Sequence, residues 1–150
     1  MPFRLSVSAL ILACSAVAAS AGAEPAARTP PPMTEPVPGL RQTVLQRFDV
    51  PGTDYETAIM RVEFPANHVS PRHAHPGPEG SYVLSGEVTF HFDGAEPRTY
   101  KAGESLEVPA YAIHSAKAGP EGMVLINTFV LEKGKPRVIP AAEVPAVAAQ

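Results

Sequence analysis

Residues 73–86 read HAHPGPEGSYVLSG: two histidines one residue apart, a Pro-Gly-Pro turn, a glutamate, and an apolar stretch closed by glycine. On an extended strand, residues two apart project to the same face, so His73 and His75 stand side by side. Pro76-Gly77-Pro78 forces a turn, and Glu79 opens a returning strand close to the pair. The stretch is therefore expected to be a hairpin that brings two imidazoles and one carboxylate to a common point. A tightly held catalytic metal generally wants one more ligand.

The chain on either side reads as a series of short strands. Val44 to Asp49 is a first candidate, followed by YETAIMRVEF at 55–64. There Ala58, Met60, Val62 and Phe64 share one face while Ile59, Arg61 and Glu63 share the other, the pattern of a half-buried strand. Pro65 and Pro71 bracket a turn, Tyr82 to Leu84 and Glu87 to Phe92 lie either side of Ser85-Gly86, and Asp93-Gly94 signals a hairpin. Further strands are expected at 98–101, 105–108, 113–117 and 123–131. With 18 prolines, 11 glycines and no tryptophan in 150 residues, such spacing points to an all-β sandwich or barrel in a single domain.

The missing ligand has a candidate in GESLEVPAYAIHSA, residues 103–116. Gly103 and Pro109 frame a short strand and a turn, and His114 follows on the next strand. In a closed barrel that strand can face the first hairpin from the opposite wall, so that His114 completes the set. The other histidines read as structural. His68 lies in the polar loop between Pro65 and Pro71, and His91, between Phe90 and Phe92, faces outward if the phenylalanines face the core. Tyr82 and Tyr111 are read as packing residues, and Asn127, in LINTFV, as either an outward side chain or a cavity donor.

The ends of the chain carry different information. Met1 to Arg4 is a short basic start, Leu5 to Ala19 is apolar, and Ala21-Gly22-Ala23 supplies small residues before Glu24, so residues 1–23 read as an export signal. The apolar run is shorter than the roughly 20 residues of a membrane span. Periplasmic or secreted protein is the expectation. The alternative takes Ile11-Leu12-Ala13-Cys14 as a lipoprotein signal, with the chain's single cysteine lipidated. Loss of the leader removes Arg4 and no acid, leaving 11 basic against 15 acidic residues, a net charge of −4 and no basic run. Nucleic acid is accordingly excluded as an expected partner. Residues 24–39 read as a proline-rich spacer, 40–140 as the folded domain and 141–150 as a loose tail.

With these residues in place, the chain resembles a small single-domain cupin. The family's first motif is glycine, five residues, His-x-His, three or four residues, Glu, six residues, glycine. His73, His75, Glu79 and Gly86 fit it, with Asn67 where the leading glycine is usual. The second motif is glycine, five residues, Pro-x-Gly, two residues, His, three residues, Asn. Gly103, Pro109 and His114 match, whereas Tyr111 and Ala118 replace the glycine and the asparagine. The resemblance covers about residues 55–135 and implies a double-stranded β-helix, or jelly roll, with a metal held by His73, His75, Glu79 and His114.

Three imidazoles and a carboxylate suit Fe(II), Mn(II), Ni(II), Co(II), Cu(II) or Zn(II) and leave coordination positions open. A cysteine-free open set leans towards catalysis, because structural zinc sites are usually closed and thiolate-rich. The resemblance to quercetinase-like and diketone-cleaving cupins implies dioxygenase-type oxidoreductase chemistry on a small organic substrate. There Glu79 serves as a catalytic group if it swings off the metal to act as a general base. Lyase or isomerase chemistry is the variant, and a non-catalytic exported binding or sensing module is the alternative. The resemblance also implies a homodimer paired through its sheets.

Overall fold

The computed structural model describes residues 39–146. The expected leader (1–23) with Cys14, residues 24–38 of the expected spacer and the last four residues of the expected tail lie outside them. Eight strands form one sheet: β1 (Arg41–Asp49), β2 (Tyr55–Phe64), β3 (His73–Ala74), β4 (Glu79–Phe92), β5 (Arg98–Lys101), β6 (Ser105–Val108), β7 (His114–Glu132) and β8 (Ile139–Pro140). A single 3₁₀ turn follows at Ala141–Glu143. The strand pairings among the described residues are antiparallel, in the order β1-β2-β7-β3-β8, with β4 joined to β5, β6 and β7. No helix among the described residues is long and apolar enough to cross a membrane.

Alternation determines which side chains point inward. On β2, Ala58, Met60, Val62 and Phe64 are buried, as the period-two pattern predicts. They meet Val83 and Val88 from β4, Leu106 and Val108 from β6, and Leu125 and Phe129 from β7 in one apolar cluster. Full burial of a side chain such as Phe129 or Leu125 contributes about 1.5–3 kcal/mol. His91 is exposed between buried Phe90 and half-buried Phe92, as expected.

Three expectations are corrected. Residues 82–92 are one strand, β4, whose ladder with β7 slips between Val83 and Ser85 and again between Gly86 and Val88. Residues 114–132 are likewise one strand. The glycines that resembled strand ends are places where backbones meet closely: a Cβ on Gly86, at φ +75°, would lie 2.2 Å from the carbonyl oxygen of Gly122.

The third correction concerns the opening stretch. β3 pairs with β7 and β8, not with β4, so His73 to Glu79 is not a hairpin. Pro76 and Pro78 have no N–H with which to start a ladder. The turn instead lies flush on β7: Val130 N donates to the Pro78 carbonyl at 3.2 Å, and a Cβ on Gly77 would fall 1.8 Å from the Val130 carbonyl oxygen.

Candidate metal centre

β3 brings His73 directly opposite His114 at the start of β7, so the two are neighbours across a strand pair rather than residues on opposite walls. His75 follows two positions after His73. The three ring centroids are 4.4–5.3 Å apart, and each ring offers a nitrogen within 4.8 Å of those of the other two. His75 and His114 are buried and His73 half-buried.

Backbone carbonyls fix the orientation of every ring. Nδ1 of His73 donates to Pro71 O at 2.7 Å, Nδ1 of His75 to Arg137 O at 2.7 Å, and Nδ1 of His114 to Ala112 O at 2.9 Å. A carbonyl oxygen only accepts, so each Nδ1 carries the proton, and in the neutral ring Nε2 presents a lone pair. This outer hydrogen bond is the arrangement by which metal-ligating histidines are aimed.

Electrostatics favour the neutral form of His73 and His114. Burial lowers His73 to about 4, with His114 and His75 pushing the same way against the Pro71 carbonyl and Glu79. Burial also lowers His114, opposed by its bond to the Ala112 carbonyl. Phe90 stacks on His114 at 5.8 Å, and Phe129 meets His75 edge-on at 5.0 Å, which completes the apolar surround.

Glu79 opens β4 fully inside the protein, with Oε2 2.9 Å from His75 Nε2. Its other oxygen, Oε1, accepts from Ser81 Oγ and from Asn127 Nδ2, each at 2.6 Å. Burial raises the Glu79 pKa, but the bond and charge of His75, the Ser81 hydroxyl and His114 outweigh it and hold the carboxyl below its ordinary range. In the neutral tautomer, His75 Nε2 and Glu79 Oε2 are two acceptors facing each other. A cation or a proton between them reconciles the pair, and the three imidazole nitrogens beside it lie close enough together to hold a divalent metal.

The cavity beside these residues has a volume of about 480 Å³. Val62, Phe64 and Leu125 give it apolar walls, whereas Met60 belongs to the core behind them. Neither Tyr82 nor Tyr111 lines it. Asn127 is the cavity-side donor of the two alternatives, and Ser81 faces it across β4 and β7.

Arg137 was not singled out by the sequence. It is buried, lines the cavity, donates from Nη2 to Gln42 Oε1 at 2.8 Å and sits 5.2 Å from the Phe129 ring centre. No local signal in KGKPRVIP marks it, because its place depends on a segment that folds back after β7.

Residues 60–130 match the sequence model of the cupin domain family. They form a cupin domain. An RmlC-like cupin from Shewanella frigidimarina superposes with a TM-score of 0.51 at 27% identity, over 64% of this chain and 79% of that one. A Klebsiella pneumoniae protein with a double-stranded β-helix domain gives 0.54 at 18%, over 71% and 90%. The DMSP lyase DddQ of Ruegeria pomeroyi gives 0.53 at 21% over 59% of this chain, which spans 45% of the lyase; the last two show a shared fold. None of the curated proteins matches the sequence.

Two of the three departures from the cupin motifs now have a structural meaning. Asn67 and Tyr111 have φ of +58° and +60°, and they are the only non-glycine residues with positive φ among those described. Both stand where the family pattern has glycine. Asparagine adopts this region readily, but a tyrosine there is strained, and Tyr111 is held by its N–H donating to the His75 carbonyl at 2.7 Å.

Proposed function

We propose that this cupin is an exported metal-dependent enzyme acting on a small organic substrate, with dioxygenase-type oxidoreductase chemistry as its reaction class. The observation that carries the metal is the facing of lone pairs: three imidazoles locked through Nδ1, with the Glu79 carboxylate against one of their Nε2 atoms. His73, His75, His114 and Glu79 are the proposed ligands. A divalent transition ion held this way would keep positions open for an oxygen-donor substrate or dioxygen.

The remaining work falls to the chain. Val62, Phe64 and Leu125 exclude water and take the apolar body of the substrate, and about 480 Å³ suits a small molecule. Lyase or isomerase turnover and substrate capture without turnover share this site. Oxygen consumption separates them.

The test begins with elemental analysis of purified protein, refolded with each divalent ion in turn. About one ion per chain is expected, with His114→Ala weakening binding more than the 10–100-fold typical of an outer-shell loss. A parent protein that holds none of the ions ends the proposal. Oxygen uptake over flavonols, diketones and catechols then tests the reaction class; binding without uptake moves the assignment to the alternatives.

Export and pairing are proposals of the same standing. N-terminal sequencing of the secreted product should begin at Glu24. Half-exposed Tyr82 and Leu84 beside Ile126 on the outer sheet face support a homodimer, which light scattering at defined concentration checks.

A further inference from the structure

Glu79, Ser81 and Asn127 form a closed buried triangle whose cause is strand register. Glu79 and Ser81 are two residues apart on β4 and point to the same side, and Asn127 on β7 is the residue directly opposite Ser81. All three are at least nine-tenths buried. Ser81 and Asn127 place two donors on the same carboxylate oxygen, Oε1, at 2.6 Å each, while Ser81 Oγ is 3.1 Å from Asn127 Oδ1.

The network also fixes the amide. Turning Asn127 over would set its carbonyl oxygen against the carboxylate, so Nδ2 faces Glu79. The serine has one proton, and the shorter contact, to a charged acceptor, takes it. Oε1 is thereby occupied, and Oε2 alone is turned to His75.

We propose that Ser81 and Asn127 are positioning residues that clamp Glu79 as a fixed, one-oxygen metal ligand, and that Glu79 does not swing free to act as a general base. This rests on the metal reading above. Swinging the carboxylate would leave the Asn127 amide as a buried donor without its acceptor, and would leave the Ser81 hydroxyl only the longer contact to Asn127 Oδ1. The clamp therefore holds Glu79 in place through the catalytic cycle. A proton acceptor for the reaction must come from the substrate, from water or from another group.

Two variants test the clamp, Asn127→Leu, which removes the amide at similar size, and Ser81→Ala, a smaller change that retains the fold if the first does not. Crystal structures of the metal-free proteins should show Glu79 turned away from His75 in Asn127→Leu, with Oε2 no longer near Nε2. Chelator competition with Co(II) should show roughly 10–100-fold weaker binding, and the visible spectrum of the Co(II) protein should shift as a carboxylate ligand is lost. Ser81→Ala should weaken binding by roughly tenfold, the low end of that range. Binding within twofold of the parent in the folded variants, with Glu79 unmoved, overturns the proposal. A parent that takes up no metal while Glu79 still turns in the variant defeats the metal reading and leaves the clamp standing.

Discussion

The inner wall and the outer rim of the candidate metal centre hold their proposed ligands by different means. On the wall, long β4 carries Glu79, and side chains orient it: Ser81 from β4 and Asn127 from β7. At the rim, a two-residue strand and its flanking loops carry His73 and His75, and backbone carbonyls orient the rings, those of Pro71 and Arg137, with Ala112 doing the same for His114. A ligand held by side chains is vulnerable to point substitution. A ligand held by carbonyls is sensitive to the path of the backbone and indifferent to the residue that supplies it.

The sharpest way to break this comparison is to cut the chain after Gly134. That removes β8 and the Arg137 carbonyl, and metal affinity should fall by roughly the 10–100-fold expected when an orienting partner is lost. Arg137→Gln keeps the carbonyl, so metal affinity by chelator competition should stay within about threefold, well under that outer-shell loss. Equal losses in the two variants would mean that the arginine side chain, not its carbonyl, holds the ring.

Acid should loosen the rim before the wall. His73 is lowered from 6.5 to about 4, and His114 is lowered too, so in the metal-free protein the unfolded chain binds more protons than the folded one within that window. Their contribution is present above pH 6.5 and is lost as pH falls from 6.5 through about 4. Glu79 is lowered from 4.5, so its contribution is lost only as pH falls below that value. Chemical denaturation at stepped pH should show stability declining through 6–4, with the Glu79→Gln variant matching the parent's slope above pH 5. An unchanged midpoint between pH 7 and 4 would contradict the assignment.

The smallest effect concerns Tyr111. Replacing it with glycine relieves a left-handed strain of about 1–2 kcal/mol but adds unfolded-chain entropy, for a net gain of about 1 kcal/mol or less in thermal unfolding. A marked loss would show that the ring's packing outweighs the strain.

These contrasts also explain what could be read from the residues. β2, β5 and β6 coincide with their expected ranges because strict alternation and turn residues act locally. The three histidines were legible because their spacing survives whatever strand order brings them together. Register was not legible: nothing local tells His114 that it lies beside His73, or Asn127 that it lies opposite Ser81. Gly86 looked like a strand end because a glycine demanded by close backbone approach has the same letter as one demanded by a turn. Arg137 had no signal because its role depends on a carbonyl and on a fold-back that is set by tertiary pairing.

Gly77 gives the Pro-Gly-Pro turn a further consequence. With Val130 O where a side chain would begin, the turn presses backbone against backbone, and the step from His75 to Glu79 is set by the thickness of the main chain. The segment works as a caliper. Any larger residue at 77 would open its jaws and shift His75 relative to Glu79.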